Sequence, residues 1–177
     1  MIFFFSFFLS FVIIKTNGMC IFMNYYNDDF MDFAFSMKEM STCARRGVGA
    51  VIVKDDVILG CGYNHTVRGS KACTSDTCIR SLNNIKSGTR QEFCMATHAE
   101  QMAMIEALKN GYDIKGSTIY VTDSLCVICS RLICEFELAR VYYVDSYPDD
   151  LSFKILNNAG VVVSKVDKTN IKVRKKM

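Results

Sequence analysis

Residues 94–100 read Cys-Met-Ala-Thr-His-Ala-Glu and residues 126–129 read Cys-Val-Ile-Cys, with 25 residues between the glutamate and the first paired cysteine. One imidazole, His98, and two thiols, Cys126 and Cys129, make a three-donor set for zinc. Such a set leaves the fourth position open, as in a catalytic rather than a structural zinc site. Zinc in that setting lowers the pKa of its water towards neutrality, so a nucleophile exists at physiological pH. Glu100 lies two residues beyond the histidine and need not be a ligand. A carboxylate there can carry a proton from water to a substrate ring nitrogen and then to a departing amine. Taken singly, Cys-x-x-Cys also describes a redox pair or half of a zinc knuckle, and His-Ala-Glu a helix face with no role. In this order and at this spacing, the two point together to metal-assisted hydrolysis.

The surrounding pattern decides the fold. Residues 98–110 suit a helix closed by Gly111, 117–122 a strand, 126–138 a second helix and 141–144 a strand. A helix over 149–158 ends at Ala159-Gly160, and 161–166 is the last strand. Upstream, Phe30, Phe33, Ala34 and Met37 recur with helical period within 28–40, behind Asp28 and Asp29. Residues 48–53 and 57–62, joined by Lys54-Asp-Asp56, predict a hairpin apolar enough to be covered on both faces. Helices and strands that alternate after a hairpin imply a three-layer α/β/α domain around a mixed five-stranded sheet whose later strands run parallel. Both halves of the zinc motif then sit where loops open into helices. Helix N-termini favour thiolate and developing negative charge.

Composition narrows the rest. A length of 177 residues suits one domain with a sizeable core, from 23 to about 168, and half the residues are apolar. A net charge of +3 is too weak to argue for nucleic acid. A polynucleotide binder would also carry aromatic platforms among clustered basic residues. Tryptophan is absent, and the basic residues are scattered up to the basic tail at 169–177, a solvated end. Nine cysteines at ligand-like spacings fit metal binding better than disulfides. Residues 65–93 are too long for an ordinary loop, and such loops are functional or braced; Cys73, Cys78 and Cys94 are candidate braces. The apolar extension at 1–22 mimics a signal-peptide core without a preceding positive charge or a cleavage pattern, and its run at 2–14 is too short to span a membrane. It reads as a weak anchor or, preferably, as translation from upstream of a true start at Met23. With that extension set aside, no membrane partner is expected.

His-x-Glu followed by Cys-x-x-Cys is the signature of zinc-dependent nucleobase deaminases. From about 28 to 166 the chain resembles the deoxycytidylate (dCMP) deaminases of the cytidine and deoxycytidylate deaminase superfamily, in particular the bacterial competence-operon type. The resemblance rests on Ser41-Thr-Cys-Ala-Arg-Arg46, Val48-Gly-Ala-Val-Ile-Val53, Gly62-Tyr-Asn64, Cys73 with Cys78, Ser87-Gly88, Cys94-x3-His98-Ala-Glu-Gln101, Cys126-x-x-Cys129 and Tyr147-Pro-Asp-Asp150. It implies a cytidine-deaminase-like fold and hydrolysis of dCMP to dUMP, the thymidylate precursor, in the cytoplasm. His98, Cys126 and Cys129 would hold the catalytic zinc, with Glu100 as proton shuttle. Cys43, Cys73, Cys78 and Cys94 match cysteines of a second, structural zinc site. Asn64 matches a sugar contact and Tyr147 an aromatic near the ligand. The resemblance further implies a homo-oligomer, dimer to hexamer, with dCTP and dTTP as effectors and Mg2+ accompanying the nucleotide; Lys109 matches a switch-linked arginine. Cys20, Cys61 and Cys134 match no ligand.

The chain departs from the pattern at three places. Leu125 stands where relatives carry the proline that stiffens entry to the Cys-x-x-Cys helix, which should loosen that loop without removing a ligand. His65 and Val67 replace a glycine and a proline after Asn64. His65 is either a phosphate or base contact bordering the pocket or a solvated loop residue. The alternatives left open are another cytosine or purine nucleotide, a nucleic-acid base, and an inactive zinc-binding scaffold. An intact Glu100 counts against the last.

Overall fold

The structure is a computed structural model that describes residues 14–16, 19–21, 27–87, 89–145 and 150–167. Within the apolar N-terminal stretch, β1 (Ile14–Thr16) pairs antiparallel with β2 (Met19–Ile21) as a separate ribbon. Helix α1 (Asp28–Lys38) starts where Asn27 Oδ1 accepts the Asp29 amide at 2.9 Å, an N-cap that satisfies one of the helix's orphan donors. The hairpin follows as β3 (Gly49–Lys54) and β4 (Val57–Tyr63). Next come a short strand β5 (His65–Thr66), a four-residue helix α2 (Ile79–Leu82), a 3-10 turn at Gln91–Phe93 and a short strand β6 (Ala96–Thr97). The rest alternates: α3 (Ala99–Lys109), β7 (Thr118–Asp123), α4 (Val127–Glu135), β8 (Arg140–Asp145), α5 (Asp150–Asn158) and β9 (Val162–Lys165).

Five strands form one mixed sheet in the order β4-β3-β7-β8-β9. The first three are antiparallel neighbours, while β7, β8 and β9 run parallel. The two parallel steps pass through α4 and α5, as right-handed crossovers require a helix between parallel neighbours. Alternation along the strands builds two cores. Ala50, Ile52, Ile119 and Val121 face α3, α4 and Leu156 of α5, whereas Val51, Val53, Tyr120 and Tyr142 face Met31 and Ala34 of α1. The three-layer α/β/α architecture follows.

One expectation needs correction. β3 is covered on both faces, but β4 is the sheet edge, and its first residues, Val57 and Ile58, are exposed. Apolar runs alone do not separate an edge strand from a central one.

The site-bearing helix is seated unusually close to the sheet. Ala99, Ala103 and Ala107 recur every four residues along the buried stripe of α3, the spacing that puts side chains on one helix face. Opposite them stand Gly60 and Gly62 of β4. A Cβ on Gly62 would lie 2.5 Å from the Ala99 carbonyl oxygen and 2.6 Å from the Ala103 nitrogen. Only glycine leaves room for that backbone. The small-residue seam fixes the depth of α3 and, with it, the start of the helix where His98 and Glu100 sit.

Candidate active site

His98 is the N-cap of α3 and Cys126 the N-cap of α4, both with extended backbone. The Cys126 side chain does not cap its own helix, and its thiol faces the His98 imidazole. The His98 amide donates to Gln101 Oε1 at 3.0 Å, closing the first turn of α3 from its own side chain. The ribbon pairing β5 with β6 matches His65 with Thr97, so the backbone entering His98 is held on its other side as well.

His98 Nδ1 lies 3.4 Å from Cys126 Sγ and 3.4 Å from Cys129 Sγ. A tetrahedral zinc with Zn–S of about 2.3 Å and Zn–N of about 2.0–2.1 Å has N···S edges of about 3.5 Å. The donor set therefore has the size and chemistry of a zinc site with Nδ1 as the histidine ligand. Among the described residues it is the one group of three or more metal-ligating side chains whose donor atoms lie within 4.8 Å of one another.

The electrostatics agree. Hydrogen bonding from Cys129 and His98 outweighs burial and brings the Cys126 thiol down to about 4, while the same bond to Cys126 and burial push Cys129 up. Burial disfavours charge on His98, yet hydrogen bonds to Cys126 and Cys94 outweigh it and hold the ring protonated to about 11. These protons are the ones a metal displaces on binding. Glu100, 4 % exposed in the first turn of α3, is pushed up to about 7 by burial, with Cys126 and Asp123 adding to the shift and His98 opposing it. A carboxyl poised near neutrality suits a group that must both take and give a proton.

These groups open onto one cavity whose lining includes His98, Glu100, Asp123, Ser124 and Cys126. Asn64 lines it too, but its amide is largely engaged. Oδ1 accepts from Ser41 Oγ at 2.6 Å and the Val48 amide at 2.8 Å, and Nδ2 donates to the Arg46 carbonyl at 2.8 Å. An amide has two acceptor lone pairs and two N–H donors, which leaves Asn64 one N–H beyond its clamp on the 41–48 loop. His65 is not among the lining residues: its Nδ1 lies 2.6 Å from the Thr66 carbonyl and its ring packs 5.4 Å from Tyr63. Tyr147 lies outside the described residues.

The second cysteine set is partly gathered. Cys43, Cys73, Cys78 and Cys94 all line the same cavity. Cys73 is hydrogen-bonded to Cys78 and feels Cys43, and burial and the Cys78 contact push it up to about 11. Burial also pushes on Cys78, but hydrogen bonds from Ser81 outweigh it and bring that thiol to about 7. Cys94 turns to His98, whose hydrogen bond lowers its thiol. The insert is held chiefly by arginines that the sequence did not single out. Arg45 donates to the Ile85 carbonyl at 2.8 Å, and Arg80 to the Thr89 carbonyl at 2.9 Å and Gln91 Oε1 at 3.3 Å. Arg46 pairs with buried Asp123, tying the 41–48 loop to the end of β7 three residues before Cys126. Burial outweighs Arg46 and pushes the Asp123 carboxyl up to about 6.

The model of the cytidine and deoxycytidylate deaminase zinc-binding region matches residues 25–145, the segment that carries this whole site. The chain belongs to that family. It is 36% identical over 137 residues to the deoxycytidylate deaminase of Saccharomyces cerevisiae, covering 76% of this chain but 42% of that protein's length. It is 31% identical over 144 residues to ComE operon protein 2 of Bacillus subtilis, covering 80% of this chain and 71% of the other. Its fold is similar to that of the dCMP deaminase of cyanophage S-TIM5, crystallised with dCMP and dUMP, with TM-score 0.64 and 29% identity over 78% of this chain and 95% of that one. His98, Glu100, Cys126 and Cys129 all lie within the matched segment, and the first, third and fourth form the group that could hold a metal ion. Among the described residues no helix is long and apolar enough to cross a membrane.

Proposed function

We propose that the chain hydrolyses dCMP to dUMP and ammonia in a zinc-dependent reaction, supplying the precursor of thymidylate. The observation that carries this reading is a buried carboxyl, Glu100, beside a tetrahedron-sized His98–Cys126–Cys129 set on the wall of a cavity. Zinc held by His98 Nδ1 and the two thiolates would supply a Lewis acid and an activated water there. Glu100 would take a proton from water and deliver it to the ring nitrogen as the water oxygen bonds to the amino-bearing carbon. It would then pass the proton of the resulting hydroxyl to the amino group, which leaves as ammonia as the C–N bond breaks and the carbonyl forms. Its burial keeps bulk water from competing for the proton. The start of α3 orients Glu100 through the Gln101 bond to His98, and the spare Asn64 N–H is available to the sugar. The choice of dCMP rests on the likeness to deoxycytidylate deaminases.

The finer assignments extend this reading. Cys43, Cys73, Cys78 and Cys94 take a second, closed zinc once Cys94 turns from His98; the Cys73–Cys78 contact with Cys43 beside it supports this. Tyr147 approaches the ligand, the chain works as a homo-oligomer, and dCTP and dTTP with Mg2+ act as effectors. The eight cysteines among the described side chains are free of disulfides, and with a nucleotide substrate this goes with a cytoplasmic setting.

The test follows ammonia release and the ultraviolet change on adding dCMP to purified protein, with dCTP and Mg2+ present. Cytidine, CMP and a cytosine-bearing single-stranded oligonucleotide run alongside, and zinc is counted on the same sample. Turnover of dCMP alone with about two zinc ions per chain is expected. Turnover of a different cytosine compound would discard the substrate, and silence on every substrate with zinc loaded would discard the reaction.

A further inference from the structure

Leu125 enters the metal-holding turn immediately before Cys126, and both residues are buried. A residue other than proline does not fix its own φ, so the peptide joining Leu125 to Cys126 needs a restraint from elsewhere if the Cys126 thiol is to keep its direction. That restraint comes from the next helix but one in the chain order of strands and helices. Ser152, fully buried in the first turn of α5, donates from Oγ to the Leu125 carbonyl oxygen at 2.8 Å across 27 residues of sequence. The carbonyl and the Cys126 nitrogen belong to one planar peptide unit, and pinning the oxygen fixes that plane. Cys126 receives no side-chain cap of its own. We propose that Ser152 is a positioning residue for the zinc site, holding the Cys126 thiol towards His98 and Cys129 through the Leu125 carbonyl.

A purely structural serine would look different, and the molecule supplies one for comparison. Ser117, also fully buried, donates to the Ile114 carbonyl at 2.6 Å in the loop that precedes β7, with no link to a metal donor. Removing either hydroxyl deletes one buried hydrogen bond, but the Ile114 carbonyl still accepts the Ser117 amide at 3.1 Å, so Ser117→Ala should cost no more stability than Ser152→Ala. Only removal of Ser152 should reach the metal. Groups that orient ligands from behind change metal affinity by about 10- to 100-fold when removed.

The inference rests on the His98–Cys126–Cys129 assignment, and its test reads zinc affinity apart from turnover, so a wrong substrate does not decide it. Zinc affinity is measured by competition with a chromophoric chelator on the full chain and on Ser152→Ala and Ser117→Ala, with thermal midpoints taken on the zinc-free proteins. The expected result is about tenfold weaker zinc binding in Ser152→Ala, unchanged affinity in Ser117→Ala, and a fall in midpoint in Ser117→Ala no larger than that in Ser152→Ala. Wild-type affinity in Ser152→Ala, or an equal loss in both variants, overturns the proposal. Should Ser152→Ala not fold, Ser152→Cys, with a similar volume and a weaker donor, carries the same comparison. Reduced affinity in that variant supports the role, and wild-type affinity removes it.

Discussion

His98, Cys126 and Cys129 meet with their donor atoms within 4.8 Å of one another, whereas Cys43, Cys73, Cys78 and Cys94 line the same cavity without forming such a group, Cys94 being hydrogen-bonded to His98. The difference lies in what carries them. The first set stands at the N-termini of α3 and α4, whose apolar faces are buried with β3, β7 and β8 in one core. The second set hangs on the 41–48 loop and on an insert whose one helix, α2, has four residues and none buried. A side chain on a packed helix inherits the rigidity of a core packed at crystal-like density. One on the insert is placed largely by local contacts, among them the hydrogen bonds of Arg45 and Arg80 and the burial of Cys78. The His98, Cys126 and Cys129 donors are thus arranged by folding, and the other four cysteines by local contacts.

The sharpest way to probe the packed region is to remove its chemistry while leaving its geometry. Glu100→Gln keeps the volume and the start of α3 but cannot take up the water proton. Turnover should fall by at least about a thousandfold, with general acid–base catalysis alone contributing about 10²–10⁴, while zinc stays at the wild-type count. Steady-state rates together with metal analysis check this. Near-full activity in Glu100→Gln would remove the proton shuttle from the mechanism.

Disturbing the same region's packing should cost less activity but more stability. In Gly62→Ala the new methyl meets the Ala99 and Ala103 backbone, which cannot rotate aside as a side chain would. Overpacking of this kind costs about 1–3 kcal/mol, and more where backbone must move. Because Ala99 lies between His98 and Glu100, the displacement reaches the site too. Urea unfolding should show the loss of stability, and turnover should fall along with it. Wild-type values for both would mean that the seam does not set the depth of α3.

Much of this was readable in the residues. The periodicity of 98–110, the strand at 117–122 and the Cys-x-x-Cys turn are local signals, so the alternation of elements and the grouping of His98, Cys126 and Cys129 were legible. Cross-chain hydrogen bonds were not. Nothing in the neighbourhood of Ser152 points to Leu125, and Arg46 and Asp123 are 77 residues apart in sequence but joined in space. The edge position of β4 was hidden because its composition, Val-Ile-Leu, matches that of a central strand. Asn64 was legible as a special residue through its Gly-Tyr-Asn setting, but its clamp on Ser41, Arg46 and Val48 depends on a loop that precedes it.

The insert gives the opposite expectation to the packed helices. Cys78→Ser should lower bound zinc from about two to about one per chain, with turnover reduced only several-fold, because the catalytic donors are held elsewhere. Metal analysis checks the count. An unchanged count would mean that the four cysteines hold no metal, and abolished turnover would mean that the insert shapes the pocket more tightly than the catalytic helices do.

The smallest effect tests the bond that joins the two regions, Arg46 of the 41–48 loop to Asp123 at the end of β7. Burial places the Asp123 carboxyl at about 6 in the folded chain despite Arg46, above the value of about 3.9 in an unfolded one. Between those pH values the folded protein holds a proton that the unfolded protein has released. The contribution of this group to stability is therefore fullest below about pH 4 and declines as pH rises through about 6. Asp123→Asn cannot titrate and removes that slope. Urea midpoints at about pH 4.5 and pH 7.5 should show the wild type losing on the order of 1 kcal/mol relative to Asp123→Asn across the interval, the half-exposed Arg46 screening the rest. A constant difference between the two chains would mean that Asp123 stays ionised throughout. The Arg46 pair would then outweigh burial, and the link between the insert side and the metal side would be stronger than the packing on either side of it implies.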